Sequence, residues 1–425
     1  MSSNESKVIF TSVDTLPEPT GRLPRMIAAL HHRNFRLFWF GQMVSLVGTW
    51  MQNVARGWLV LQMTNSPFLL GLVSMLGTLP VLFVAPFGGA LADNLNKRTV
   101  VITTQITAMV LAFALATLVL TKQIQYWHIL VLASILGVTM AIDSPTRQSF
   151  IVEIVGKKDL LNAIALNSSI FNLARIVGPA MAGLIISAIG IVLCFYLNGI
   201  SYLAVIIGLF MMKGNFNPTN RKRTHVLRDI REGFGHARRD KNIMSLILLV
   251  ALSSIFIMPF AMLMPVFARD ILKVGAKGLG MLLASAGVGA LIGALSLAFL
   301  SDYRKKGRFV IAGTTSFVIA TILFSLSNTY YVSLILLLFL GWGMVMQNAS
   351  INSLLQTITP DHLRGRIMSL YVLFFIGMMP FGSLQAGFIA DHLGAQMALR
   401  IGGIIVACAA AVLFLRDKEL IDLQG

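Results

Sequence analysis

The sequence has little charge, and few of its charges are acidic. Only 12% of its 425 residues are charged, against about a quarter in a typical soluble domain. Asp and Glu together number 17, whereas 56% of the residues are hydrophobic. Such a chain cannot cover its surface with polar groups, so most of it must lie in lipid. This excludes a soluble globular protein.

Cysteine and the familiar catalytic motifs are also scarce. The two cysteines, Cys194 and Cys408, lie in apolar runs and are expected to act as small hydrophobic residues, so no disulfide framework is implied. The sequence contains no Gly-x-Ser-x-Gly motif, no phosphate-binding loop ending in Lys-Ser or Lys-Thr, and no paired Cys or His with metal-ligand spacing. We therefore expect no catalytic site, no metal, no cofactor and no ATP-driven pump.

Long apolar runs recur from Phe35 to Leu415, and about twelve are long enough to cross a membrane. The fold class predicted is an all-α integral membrane protein with about twelve transmembrane helices in two pseudo-symmetric six-helix bundles. The predicted domains are a cytoplasmic tail over 1–34, a first bundle over 35–212, a basic linker over 213–241, a second bundle over 242–415 and a cytoplasmic tail over 416–425.

A net charge of +17 could indicate a nucleic-acid partner, but the distribution of the charges along the chain indicates a membrane protein instead. Of the 34 Lys and Arg, 27 fall in the two tails and the even-numbered connections, six lie in or near the odd-numbered connections, and Arg175 lies inside a span. This asymmetry places both termini in the cytoplasm of a multi-pass protein of the cytoplasmic membrane, with membrane lipids and not nucleic acid as partners. The linker is either a solvated connection or an amphipathic helix on the inner leaflet.

Two segments indicate an internal repeat. Leu91 and Asp93, at the end of the second span, match Leu300 and Asp302 at the end of the eighth, 209 residues later. Gly178 and Gly183 in span five match Gly382 and Gly387 in span eleven at an offset of 204. The chain therefore reads as two related halves.

Two arginines stand within apolar runs. Arg175 lies near the middle of span five, on one helix face with Ser168 and Asn172. Arg56 lies in the upper part of span one. A cation at such depth marks a functional site or a structural pair, and Arg56 could also extend to the outer surface.

Other polar side chains complete a candidate pathway. Asp143 and Arg147 are four residues apart, the acid-first spacing of a helical ion pair, although Pro145 between them could end the helix. We expect span four to end near Ala141. The predicted substrate or ion pathway consists of Gln52, Arg56, Asp143, Asn172, Arg175, Gln347 and Asn348.

The twelve spans in two halves, Gly89-x-Leu91-x-Asp93 with Lys97-Arg98, its echo after span eight, and Gly178-Pro179 in span five resemble the major facilitator superfamily over essentially the whole chain. Segments 48–59, 143–148 and 363–369 are similar to its enterobactin-exporter and drug-efflux branch, the transmembrane secretion effectors. The resemblance implies two bundles that alternate about a central site.

The resemblance also implies a conformational latch on the cytoplasmic side. The latch residues are Gly89, Asp93, Lys97, Arg98, Arg147, Asp302, Arg304 and Arg308. We expect Asp143 to lie near them and to pair with Lys97 or Arg98. Asn96 replaces the usual glycine of the motif and tolerates a left-handed backbone. Gly178, Pro179 and Gly183 resemble the antiporter motif and predict a helix that bends.

These features predict a monomeric secondary transporter that exports a small organic molecule, a siderophore or a drug, by proton antiport and alternating access. The coupling acid is Asp143 or an acid at a span end such as Asp270, unless another force drives export. The two arginines favour an anionic or polar substrate, or tune a cavity for neutral drugs. The alternatives are an uptake permease of the same fold, a lysophospholipid transporter and a membrane scaffold without transport.

Overall fold

The computed structural model describes residues 27–214, 234–300, 303 and 305–416, and within these the side chains of all residues except 85–94. Twelve long helices occupy the described part of the chain. They are α1 Arg33–Thr64, α2 Pro67–Asn94, α3 Lys97–Leu120, α4 Tyr126–Val155, α5 Leu160–Ala188, α6 Val192–Met211, α7 Lys241–Ile271, α8 Gly275–Phe299, α9 Gly307–Leu326, α10 Tyr330–Ile358, α11 Asp361–Leu393 and α12 Ala395–Arg416.

Of these helices, 11 are long and apolar enough to cross a membrane. The remaining helix, α1, has 32 residues and thus sufficient length, but it carries more polar side chains, including Gln42, Gln52, Asn53 and Arg56. The predicted all-helical membrane fold of about twelve spans is confirmed.

Two of the long helices are interrupted in the middle. In α7 the segments Lys241–Phe256 and Phe260–Val266 are separated at Pro259, and a π-helical turn over Phe267–Ile271 completes the span. A proline has no backbone N–H to donate, so interrupting the helix at this residue loses no hydrogen bond from it. In α11 a similar interruption separates Asp361–Ile376 from Met379–Leu393.

The expected end of the fourth span near Ala141 is wrong, because α4 continues through Pro145 to Val155. The proline removes one hydrogen bond, and the adjacent carbonyl of Ile142 accepts one from the hydroxyl of Thr146 at 2.7 Å. A polar side chain thus satisfies part of the disturbed turn, and a span of 30 residues remains one helix.

The buried apolar clusters show how the two halves meet. We call the end of the bundle at which α1 begins and α6 ends the basic end, and the opposite end, at which α1 ends near Asn65, the far end. One large cluster joins both halves toward the far end, with Trp58 and Phe195 packed in the same cluster as Phe267 and Leu399. At the basic end each half has its own separate cluster. The halves therefore pack together at the far end.

Two helix pairs make the most extensive contacts between the halves: α2 with α11 and α5 with α8. Each pair meets at glycines, because a Cβ added to Gly71 would lie 3.2 Å from the Cα of Gly387, and one added to Gly183 would lie 3.0 Å from the Cα of Gly280. Gly71 and Gly280 are 209 residues apart, and Gly183 and Gly387 are 204 apart. These are the two offsets of the internal repeat, so the α2–α11 contact and the α5–α8 contact are made by equivalent residues of the two halves.

Candidate functional site

Arg56 is partly buried in α1, and its Nη2 donates a hydrogen bond to Oδ1 of Asn53 at 3.2 Å. The Asn53 side chain is exposed about two-thirds of the way along the helix, a position where contact with lipid is unfavourable for an amide. The neighbouring Gly57 faces the other half, since an added Cβ would lie 3.4 Å from Cγ of Pro265 in α7. Arg56 therefore lies beside the junction of the halves.

Arg175 lies in the same kind of setting on α5. It is partly buried, and its Nη2 donates to Oδ1 of Asn172 at 3.0 Å, while Asn172 donates to the carbonyl of Ser168 at 2.9 Å. The Arg175 carbonyl would lie 3.1 Å from a Cβ added to Gly287 in α8. The predicted polar face of span five is thus present, and it reaches the junction between the halves.

The two arginines share one arrangement. Each guanidinium is oriented by an asparagine three residues earlier, and no acid among the described residues forms an ion pair with either. The Nε of Arg175 is buried without a hydrogen-bond acceptor in the described structure. Because desolvated cations are costly without an anion, a negatively charged group would stabilise either arginine.

Asp143 occupies a different environment, fully buried between α3 and α4. It accepts hydrogen bonds from Oγ1 of Thr104 at 2.6 Å and from Nε2 of Gln105 at 3.1 Å, and it forms an ion pair with Arg147. The spacing of four residues predicted this ion pair, which is present because α4 continues through the proline.

The expected pairing of Asp143 with Lys97 or Arg98 is wrong in this structure. Lys97 forms an ion pair with Glu153, near the end of α4, and Nη2 of Arg98 donates to the carbonyl of Phe210 at 3.1 Å. Asp143 is instead satisfied by side chains within its own half, so it does not line an open pathway here.

Of the other predicted pathway residues, two connect helices inside their own half and one bonds within its own helix. Gln52, 5% exposed, accepts a hydrogen bond from Nδ2 of Asn198 at 2.7 Å and so joins α1 to α6. Gln347 donates to Oγ of Ser253 at 2.9 Å and joins α10 to α7. Asn348 donates to the carbonyl of Met344 at 2.8 Å. Oε1 of Gln347 and Oδ1 of Asn348 are buried without a partner in the described structure.

The predicted latch is described only in part. The surroundings of Gly89, the side chain of Asp93, and residues Asp302 and Arg304 lie outside what the structure describes. Arg308 donates to the hydroxyl of Tyr303 at 2.9 Å, so its described contact, like those of Lys97, Arg98 and Arg147, lies within its own half.

Asn96 was expected to allow a left-handed turn, but its φ is −65° and its backbone is extended. Its side chain accepts a hydrogen bond from the backbone N–H of Thr99 at 3.2 Å and caps the start of α3. A helix cap thus replaces the strained turn.

Helix α5 remains continuous through Pro179. A Cβ on Gly178 would lie 2.5 Å from Cβ of Trp50 in α1, and Gly183 touches α8 as described above. The segment from Gly178 to Gly183 therefore packs closely against one helix of each half.

Sequence reasoning missed the polar contacts that join the halves at the far end. Arg269, in the last turn of α7, donates through Nη1 to the carbonyl of Leu61 at 2.9 Å and to Oδ1 of Asn65 at 2.7 Å. It is held by Asp270, with Nε to Oδ1 at 2.7 Å. A cation thus lies at the C-terminal end of α1, where free carbonyls favour positive charge.

An acid makes the complementary contact at the start of α2. Oδ1 of Asp391, in α11, accepts hydrogen bonds from Oγ of Ser66 at 2.7 Å and from the backbone N–H of Phe68 at 3.3 Å. A carboxylate is favourable here because the free backbone N–H groups at a helix N-terminus carry partial positive charge.

The second half therefore holds both sides of the turn between α1 and α2. We call Arg269, Asp270 and Asp391, with Leu61, Asn65, Ser66 and Phe68, the far-end clamp. The charged residues at span ends were a visible signal, but only the folded arrangement identifies their partners.

Comparisons with known proteins agree with this architecture. A model of the transmembrane secretion effector family matches residues 25–422. The Staphyloferrin A transporter of Staphylococcus aureus (strain NCTC 8325 / PS 47) is 24% identical over 388 residues, which cover 91% of this chain and 96% of that protein. The multidrug efflux pump Tap of Mycolicibacterium fortuitum is 25% identical over 397 residues, 90% and 97% of the two chains. The enterobactin exporter EntS of Shigella boydii serotype 4 (strain Sb227) is 24% identical over 341 residues, 80% and 81%.

A solved structure supports the fold. A bacterial homologue of the human lysosomal transporter Spinster, in an inward-facing and unoccupied conformation, is similar with a TM-score of 0.71 at 13% identity, covering 94% of this chain and 98% of that chain. At this identity the similarity shows the fold alone.

Proposed function

Because the chain belongs to the transmembrane secretion effector family of the major facilitator superfamily, we propose that it exports a small organic anion, such as an acidic siderophore, from the cytoplasm. The family and the relatives described above are transporters and not enzymes, and the resemblance seen in the sequence is confirmed at the level of a secondary transporter. The proposal adds the direction, the charge of the substrate and the driving force.

The single observation that carries the proposal is that two arginines beside the junction of the halves form no ion pair with any described carboxylate. Arg56 and Arg175 bring two positive charges to a region where charge is costly, and each is oriented by a neutral asparagine. An anionic substrate would offset that cost when it binds. A site for neutral drugs gains nothing from two uncompensated cations.

The arrangement of the buried clusters supports alternating access. The halves share a core toward the far end and have separate cores at the basic end. The excess of Lys and Arg in the N-terminal tail, the even-numbered connections and the C-terminal tail assigns the basic end to the cytoplasm. In this conformation an exporter would load substrate from the cytoplasm, and release would require the far-end clamp to open.

We assign the driving force to the proton gradient, with Asp143 as the coupling acid. Among the described carboxylates it is the one fully buried within a span. Its protonation would weaken the ion pair with Arg147 and so alter the packing of α4. A proton taken up from the outside and released to the cytoplasm would thereby be linked to the position of this helix.

Transport into inside-out vesicles tests the proposal. The vesicles carry purified protein, an acidic lumen is imposed, and the compounds supplied are a carboxylate siderophore, a catecholate siderophore and a neutral macrolide. The variants are Arg56→Gln and Arg175→Gln, with Arg416→Gln as the control, because Arg416 is an exposed cation at the basic end of α12.

We expect the acid lumen to drive loading of an anionic compound and each pathway variant to lower its apparent affinity about tenfold or more, the effect of one lost charged hydrogen bond. The control should behave as the wild type, and thermal unfolding should show that all variants are folded. Equal transport by all variants would remove the support for an anion site. Loading of right-side-out vesicles instead would identify an uptake permease.

A further inference from the structure

A groove of about 400 Å³ lies between α1 and α6 on the surface of the first half. Its floor has no side chains at two points, because Gly41 faces the carbonyl of Ala204 and Gly208 faces the carbonyl of Leu37. Its walls are apolar and exposed, including Phe40, Val44, Ile207 and Met211. The volume falls within the range of about 300–1,000 Å³ that is usual for ligand clefts.

One cation lines this groove at the basic end, and two more lie close by along the chain or in space. Arg36 lines the groove and is exposed. The guanidinium of Arg98 is held at the carbonyl of Phe210, one residue before the wall residue Met211. Lys213 is fixed next to the first turn of α1, because its carbonyl accepts from Nδ2 of Asn34 at 2.7 Å and its N–H donates to Oδ1 of the same side chain at 3.2 Å.

Two described acids in this region, Asp159 and Glu153, are already engaged. Oδ2 of Asp159 lies 2.7 Å from Nε2 of His32, and Glu153 forms an ion pair with Lys97. No described carboxylate therefore forms an ion pair with Arg36, Arg98 or Lys213. Among the described residues the groove thus has a cation without a paired acid at its basic end, whereas its walls are hydrophobic.

We propose that this groove binds one phospholipid with a negatively charged headgroup from the cytoplasmic leaflet. The acyl chain lies between Phe40 and Ile207, and the phosphate lies among Arg36, Arg98 and Lys213. A free inorganic anion would use the cations but leave the apolar groove empty, and a neutral lipid would fill the groove but leave the cations unmatched. Anionic lipid matches both features. This site is on the lipid-facing surface and is independent of the substrate proposed above.

Native mass spectrometry of the full chain in detergent tests the proposal, with titrations of phosphatidylglycerol and phosphatidylcholine. Arg36→Gln removes the cation at the groove, and Ala204→Leu fills the groove. Arg239→Gln is the control, since Arg239 is an exposed cation just before α7 at the same end of the molecule. Val44→Trp fills the groove from its exposed wall and replaces Ala204→Leu if that variant does not fold.

We expect wild-type protein to bind phosphatidylglycerol more tightly than phosphatidylcholine. Arg36→Gln should weaken phosphatidylglycerol binding about fivefold, the contribution of one cation, without changing phosphatidylcholine binding. The groove-filling variant should weaken both lipids, and Arg239→Gln should weaken neither.

Three results would overturn the assignment. Equal binding of the two lipids by the wild type would remove the role of the headgroup. Displacement of phosphatidylglycerol by inorganic phosphate would identify a simple anion site. Dimers that appear whenever lipid is lost would assign the groove to a second copy of the chain.

Discussion

Removal of the far-end clamp should shift the protein toward a conformation that is open at the far end. The perturbation is the double variant Arg269→Ala and Asp391→Ala. Arg269 contacts the last turn of α1, and Asp391 contacts the first turn of α2. The two substitutions therefore release both sides of one turn while leaving the glycine contacts between the halves intact.

The expected effect follows from the exposure of these side chains. Arg269 is 27% exposed and its partner Asp270 is 44% exposed, so solvent weakens their electrostatic contribution. A partly exposed cation at a helix C-terminus contributes about 1 kcal/mol, and loss of a capping carboxylate costs about 1 kcal/mol. Together they amount to about 2 kcal/mol, which changes the ratio of the two conformations about 30-fold.

Pulsed electron paramagnetic resonance measures this ratio directly. Spin labels at Gln123→Cys and Asn328→Cys report the distance between the halves at the far end, because Gln123 precedes α4 and Asn328 precedes α10, and both are exposed. The exposed Cys408 is replaced by Ser, and the buried Cys194 is retained. The double variant should populate a longer distance that is rare in the parent protein.

The matched control is Lys277→Ala, which removes an exposed cation at the far end of α8 without affecting the clamp. An unchanged distance distribution in the double variant would refute the clamp. An equally large shift in Lys277→Ala would mean that overall charge, and not the contact with α1 and α2, controls closure.

Two further predictions follow from buried contacts. Asp143→Asn leaves the guanidinium of Arg147 without its anion and should destabilise the protein by about 3–5 kcal/mol. Adding Arg147→Gln to this variant should restore most of the lost stability, and thermal unfolding in detergent measures both effects. Equal stability of Asp143→Asn and the wild type would contradict the buried ion pair. Gly280→Leu places a large side chain against Gly183, so the spin labels should again report a longer far-end distance, and an unchanged distance would show that α5 and α8 do not need their close approach.

Local features of the sequence predicted much of the fold. The lengths of the apolar runs identified the spans, because a transmembrane helix satisfies its own backbone and depends little on its neighbours. The spacing of Asp143 and Arg147 predicted their ion pair, since both residues belong to one helix. The error at Ala141 arose because proline weakens a helix without always ending it.

Contacts between helices were the part that the sequence did not predict. Ser66 and Asp391 are 325 residues apart, and only the packing of α2 against α11 brings them together. Lys97 pairs with Glu153 and not with Asp143, because α4 is long enough to bring an acid beside the start of α3. A charge pattern shows which residues need partners, but the choice of partner depends on the three-dimensional arrangement.

The glycine contacts between the halves have a mechanical consequence. Where helices meet through large side chains, the ridges of one fit the grooves of the other, and rotation requires those side chains to separate and interlock again. At Gly71 with Gly387, and at Gly183 with Gly280, backbone touches backbone. At these points side chains therefore offer little resistance to rotation of one half against the other, and the repeat gives both contacts the same property.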